Sequence, residues 1–134
     1  VQSPNPDLVV FVYLEMVCQD GSSHYITEGV MRASHRACNR PPYRNFDLPF
    51  HRGNVDDIDP LRPNTPVKLR FDMLPTSYYF EKGCRIRVTI TGADKDNYFV
   101  EKRDPANTFT VLRDKKHPSK ITLPFEKKQS RDDS

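Results

Sequence analysis

The chain has 134 residues and a formal net charge of +3, from 21 Lys and Arg interleaved with 18 Asp and Glu. One domain is expected at this length, and without a basic block or a known nucleic-acid motif the charge balance excludes a nucleic-acid footprint. A mean hydropathy of −0.74 is low for a compact fold, yet 10% aromatics and well-patterned apolar runs exclude wholesale disorder.

From Leu8 to Val17 the run LVVFVYLEMV is apolar on both faces and rich in β-branched and aromatic residues, which predicts a buried central strand. Asp20-Gly21 is a strong turn dipeptide, and SHYITEGVMRASHR returns as a second extended segment. Residues 8–36 therefore read as a hairpin, with a bulge expected at Gly29. Between Ala37 and Pro66 there are six prolines, mixed charges and no sustained alternation. That composition predicts one long, stiffened loop, and loops of that length usually contact something.

Alternation returns in VKLRFDML, where Val67, Leu69, Phe71 and Met73 point one way, and in CRIRVTIT, where Cys84, Ile86, Val88 and Ile90 point inward. Phe109 and Val111, then Ile121, Leu123 and Phe125, supply two shorter strands. No segment carries a helical period, so the class is all-β, a sandwich with jelly-roll-like connections. The domain is expected over residues 1–126 with the loop 37–66 inserted, followed by a disordered tail, 127–134.

Cys18, Cys38 and Cys84 are odd in number and form no C-x-x-C pair, so neither a zinc knuckle nor a disulfide framework is indicated. A reducing, cytoplasmic setting is the expectation, with Cys84 as a buried structural thiol. No apolar stretch approaches a membrane span, and VQSPNPDL lacks the regions of a signal peptide, so no membrane partner is expected.

The segment SHRACNRPPY, residues 34–43, gathers residue types that hydrolases use. No G-x-S-x-G occurs, however, and a Ser-His-Asp set built from Ser34 or Ser77 would have to be shown by geometry. His35 and Arg36 read as strand-end or loop residues. Asp94 to Asn97, DKDN, resembles half of a calcium loop, but Tyr98 and Pro105 stand where the pattern needs ligands. His24 and Glu28 are four apart, a helical metal spacing on what reads as a strand, where both would share a face. Tyr78, Tyr79 and Tyr98 could stack on sugar rings, though the chain has no Trp. No catalytic, cofactor-binding or metal-binding residue is assigned.

Several segments taken together resemble a known family. "YVTEG" stands here as Tyr25 to Gly29 with Ile26 in place of the valine, "ASHR" as Ala33 to Arg36, "LPTSY.F..G.RIR" as Leu74 to Arg87, and "HPS...LP" as His117 to Pro124. In this order and spacing, over about residues 7 to 125, they resemble the C-terminal domain of the cocaine esterase and X-Pro dipeptidyl-peptidase family of serine hydrolases, the CocE/NonD hydrolases. The resemblance implies a jelly-roll (galactose-binding-like) β-sandwich appended to an α/β-hydrolase domain that carries the triad and most of the oxyanion hole. No catalytic residue can be carried over.

It implies instead a domain that packs against the hydrolase, helps to border its cleft and often takes part in oligomer contacts. The partner expected is the catalytic domain of the same polypeptide, contacted through Tyr43 and Phe46 in the long loop and Tyr98 and Phe99 in GADKDNYF. VQSPNPD resembles only the end of a preceding strand, so the sandwich is expected to lack its leading strands and the isolated chain to self-associate. Two rivals stand beside this reading: a free-standing binding module, as for carbohydrate, and a small enzyme using Cys38 and His35.

Overall fold

The computed structural model describes residues 1–94, 96–97 and 108–126. The expected tail 127–134 and the candidate contacts Tyr98 and Phe99 lie outside the described residues. Strands β1 (Val9–Val17), β2 (Ser23–Arg32) and β3 (Arg85–Thr91) form one antiparallel sheet in the order β2-β1-β3. Two single turns of 3₁₀ helix, Ala33–His35 and Val55–Asp57, are the other regular elements. The class is all-β, with no α-helix among the described residues.

The expected hairpin forms. Gly21 takes a φ of 82° at the turn, where Asp20 accepts hydrogen bonds from the N–H and hydroxyl of Ser22 at 2.9 and 2.6 Å. Strands β1 and β2 pair from Val9↔Arg32 to Leu14↔Thr27, then resume at Glu15↔Tyr25. Ile26 has no partner in this register, so the bulge sits there and not at Gly29 as the sequence suggested. Gly29 is needed for a different reason. A Cβ on it would lie 2.7 Å from the Asp72 carbonyl oxygen and 3.3 Å from Met73 Cα, so the chain at 71–73 crosses directly over it.

Val10, Val12, Leu14 and Met16 share one face of β1, as period 2 requires. Val10 packs with Leu8, Ala33 and Leu61, closed over by Val12, Val67, Leu69 and Phe109. Leu14 and Met16 pack with Ile26, closed over by Met73, Phe80, Leu123 and the two cysteines, Cys18 and Cys84. Burial of these side chains removes apolar surface from water at about 25 cal/mol per Å², and it positions the extended segments that carry no ladder of their own.

Residues 67–73 form no ladder strand, contrary to expectation. They cross the face of β2 at Gly29 and are tied to the sheet by Leu74 N–H donating to Glu28 O at 2.9 Å and by Thr27 Oγ1 donating to Leu74 O at 2.6 Å. Alternation decides which side chains face the core, and it did so correctly for Val67, Leu69 and Met73. It does not decide whether a free edge lies alongside. The two short strands expected near Val111 and Leu123 reduce likewise to a single bridge, Gln2↔Thr110, and of the last three apolar residues Ile121 and Phe125 are exposed.

The first six residues run between these segments. Val1 and Val67 exchange two bonds of 2.8 Å, Asn64 N–H donates to Ser3 O, and Leu61 N–H donates to Pro6 O. On the other side Gln2 and Thr110 exchange backbone bonds.

The cysteines overturn the sequence reading: Cys18 and Cys84 are disulfide-bonded, with 4.2 Å between their Cα atoms. Register explains it, since Val17 faces Arg85 and the next facing pair is Cys18 and Cys84. The odd cysteine is Cys38, free and exposed. The preference for a reducing compartment rested on unpaired thiols and loses that footing.

Candidate functional site

Ser34 and His35 lie on the 3₁₀ turn that ends β2. The Ser34 hydroxyl donates to Asp7 Oδ2 at 2.9 Å and its N–H donates to Asp7 Oδ1 at 2.9 Å, while His35 Nδ1 lies 3.0 Å from the same hydroxyl oxygen. Asp7 Oδ1 also accepts from Leu8 N–H, and Arg32 reaches Oδ2 at 3.4 Å. A hydrolytic triad puts imidazole between serine and carboxylate so that it can take the hydroxyl proton. Here the serine stands in the middle, 4% exposed. The three residues lock the entry of β1 to the exit of β2, and they do not form a nucleophilic centre.

The other chemical candidates are similarly occupied. Cys38 Sγ faces Arg36 O at 3.8 Å while His35 turns to Ser34. His24 lies opposite Met16 and Glu28 opposite Tyr13, so the bulge at Ile26 places them on opposite faces of β2 rather than on one. Among the described residues, ligand-type atoms of Cys18, Glu81 and Cys84 come within 4.8 Å of one another. The two sulfurs are bonded to each other, so neither is a thiolate able to bind metal. Asp94 accepts from the Tyr13 hydroxyl and from Asn97, which hold its carboxyl below the usual carboxylate range. Tyr78 leans edge-on against Phe80 with 5.7 Å between ring centroids, and its neighbour Tyr79 is exposed.

The long loop has a fixed neck and an apolar tip. At the neck, Asn39 N–H donates to Phe50 O at 2.8 Å, and Arg36 binds Ala33 O and the Asp59 carboxylate. Arg52 grips Asp57 with two nitrogens at 2.6 and 2.8 Å, which holds the Asp57 carboxyl below its ordinary range. The His51 ring spans from Ala37 O at 3.0 Å to Arg70 O at 2.9 Å. Beyond this neck Tyr43, Phe46 and Leu48 are exposed, Tyr43 resting edge-on against Phe50. Phe46 and Asp47 have φ of 58° and 60°, a left-handed conformation that a bulky side chain adopts only at a cost. Phe46 is 82% exposed there, so the fold holds a large aromatic ring in water on a strained backbone.

Residues 1–122 match the family described as the X-Pro dipeptidyl-peptidase C-terminal non-catalytic domain. The chain belongs to this family. Its Ser34, His35 and Asp7 thus lie in a domain defined as non-catalytic, in agreement with their geometry. Two curated relatives are each 43% identical over 126 residues, which is 92% of this chain. They are "Putative serine esterase Mb1866c" of Mycobacterium bovis and "Putative serine esterase MT1883" of Mycobacterium tuberculosis. The chain spans 20% of the length of either relative. No solved structure matches it significantly.

The sequence marked Ser34 and His35 but not what holds them. Asp7 lies 27 positions from Ser34, and no local pattern joins the two. Nor did anything in the sequence single out His51, whose role depends on where residues 37 and 70 come together.

Proposed function

We propose that this chain is the non-catalytic β-sandwich domain of an α/β-hydrolase-type serine hydrolase of the CocE/NonD kind, cleaving esters or amides, including X-Pro peptides, through an acyl-enzyme formed elsewhere in the same polypeptide. The domain supports the catalytic domain and borders its cleft. The observation that carries this reading is the match of residues 1–122 to a non-catalytic domain family, together with relatives named as putative serine esterases of which the matched part is 20% of the length.

Within this reading the tip of loop 37–66 is the contact. Its pinned neck keeps Tyr43 and Phe46 in place before any partner arrives, which lowers the ordering cost of docking. The strained, exposed Phe46 is the kind of feature that a functional contact maintains.

The test uses the native gene product, detected in cell extract with an antibody to this chain and labelled with a fluorophosphonate probe. A band at several times 15.6 kDa that takes the label supports the proposal. An unlabelled band near the mass of the chain overturns it. In the full-length protein, replacing Tyr43 and Phe46 with Ser should loosen the domain contact, and unchanged stability with unchanged kinetics would rule out the loop as that contact.

A further inference from the structure

Strand β3 forms a margin of the sheet, and among the described residues it pairs with β1 alone. Its register sets Ile86 opposite Met16, Val88 opposite Leu14 and Ile90 opposite Val12, so all three belong to the core face. Met16 and Leu14 are 2% and 4% exposed, whereas Ile86, Val88 and Ile90 are 43%, 38% and 41% exposed. The apolar layer thus runs on across the sheet and out to its margin. A strand edge with a continuous apolar row is a template for another strand.

We infer that the occupant of this edge is a second copy of the same chain, joined antiparallel along β3 about a two-fold axis at Val88. Self-complementarity points to the occupant, and the register that pairs the whole of β3 with itself is the one centred on Val88, the middle residue of Arg85–Thr91. With Val88 opposite Val88 of the second copy, Ile86 faces its Ile90, Arg87 faces its Thr89, and Arg85 faces its Thr91, so every residue of the strand is paired. Shifting the axis to Arg87 sets two guanidinium groups against each other, and shifting it to Ile86 sets Arg85 against Arg87. Like charges directly opposite are destabilising.

The polar face also matches. Thr89 donates to Glu15 Oε2 at 2.8 Å, and Arg87 binds the same oxygen at 2.7 Å. In the dimer each Arg87 therefore comes alongside the second copy's Thr89 and the carboxylate that it holds. The result is one six-stranded sheet, β2-β1-β3-β3-β1-β2, with an isologous interface closed by the two-fold. The inference concerns the chain itself and stands apart from which hydrolase it serves.

Sedimentation velocity of the purified chain over a concentration series reads the outcome. The dimer fraction should rise with concentration, and Val88→Lys, which puts two charges opposite each other on the axis, should shift the chain to monomer with an unchanged far-UV spectrum. Register is read separately with Val88→Cys in a Cys38→Ser background. A covalent dimer should form under mild oxidation, and moving the cysteine to the exposed Tyr79 should abolish it. A chain that stays monomeric at the highest concentration overturns the inference. So does a Val88→Lys chain that still sediments as a dimer. Should Val88→Lys fail to fold, absence of the position-specific Val88→Cys crosslink overturns it independently.

Discussion

Asp7 and Ser34 are joined twice, the serine N–H to one carboxylate oxygen and its hydroxyl to the other, each at 2.9 Å. The pair fixes where β1 begins relative to where β2 ends, and it buries Ser34 to 4% exposure. Asp7→Ala removes both acceptors at once and leaves a buried donor unsatisfied, a loss of about 1–3 kcal/mol. Ser34→Ala removes only the hydroxyl and should cost about 1 kcal/mol. Urea titration of the two variants checks the order. In the full-length protein Ser34→Ala should keep its fluorophosphonate labelling, and loss of labelling with the fold intact would make the serine catalytic after all.

The Cys18–Cys84 bond closes a loop with a sequence separation of 66. Chain entropy alone assigns such a crosslink about 4 kcal/mol as an upper figure, because the unfolded chain loses the freedom to separate those ends. Cys18→Ser combined with Cys84→Ser should therefore lower stability by several kcal/mol, and dithiothreitol should do the same to the parent chain but not to the variant. A urea midpoint that reductant does not move would show that the bond contributes nothing.

Gly29 and Gly21 make a contrasting pair of substitutions. At Gly21 nothing lies within 4 Å of a new Cβ but φ is +82°, so Gly21→Ala should cost about 1–2 kcal/mol of backbone strain. At Gly29 the obstacle is the Asp72 carbonyl at 2.7 Å, a backbone atom that cannot rotate away. Gly29→Ala has to push the 71–73 segment off the sheet, with an expected loss of about 1–3 kcal/mol. Hydrogen exchange separates the cases: Gly29→Ala should expose the Leu74 amide, which donates to Glu28 O, and Gly21→Ala should not.

These contrasts show what kind of information the sequence held. A continuous apolar run located β1, the Asp20-Gly21 turn located the returning β2, and apolar period 2 located β3 and turned Val67, Leu69 and Met73 toward the core, because each is a property of consecutive residues. Whether a segment finds a ladder is a property of its neighbours, so 67–73 was expected as a strand and instead crosses over Gly29. The disulfide was hidden for the same reason. Cys18 and Cys84 meet only through the pairing of β1 with β3, and an odd cysteine count argued the other way. The lack of a ladder in the long loop was legible from its prolines and its length, and Tyr43 and Phe46 are exposed in it. Its neck was not legible, since His51, Arg36 and Arg52 act on partners 3 to 23 positions away.

The loop neck offers its own test. His51 lies between two backbone carbonyls, and in either tautomer its one N–H donates to one of them, a bond worth about 0.5–1.5 kcal/mol net. His51→Ala should therefore leave the sheet intact while amides of the loop, Asn39 among them, exchange faster. Unchanged exchange at Asn39 N–H, which donates to Phe50 O, would show that the neck is held without the imidazole.

Glu15 carries the pH dependence with the clearest sign. Arg87 donates to its Oε2 at 2.7 Å and Thr89 at 2.8 Å, and these bonds, the one from Arg87 foremost, hold the carboxyl below its ordinary value of 4.5. A carboxyl lowered by folding stabilises the folded chain above its unfolded pKa, and the contribution fades as pH falls through the lower folded value. Both side chains are partly exposed, 20% for Glu15 and 49% for Arg87, so the effect is small and weakens with salt. Wild type should unfold at a higher urea concentration than Glu15→Gln at neutral pH, and the gap should narrow progressively as pH falls below 4.5. A gap that persists unchanged in acid would mean that Glu15 acts through its shape and not its charge.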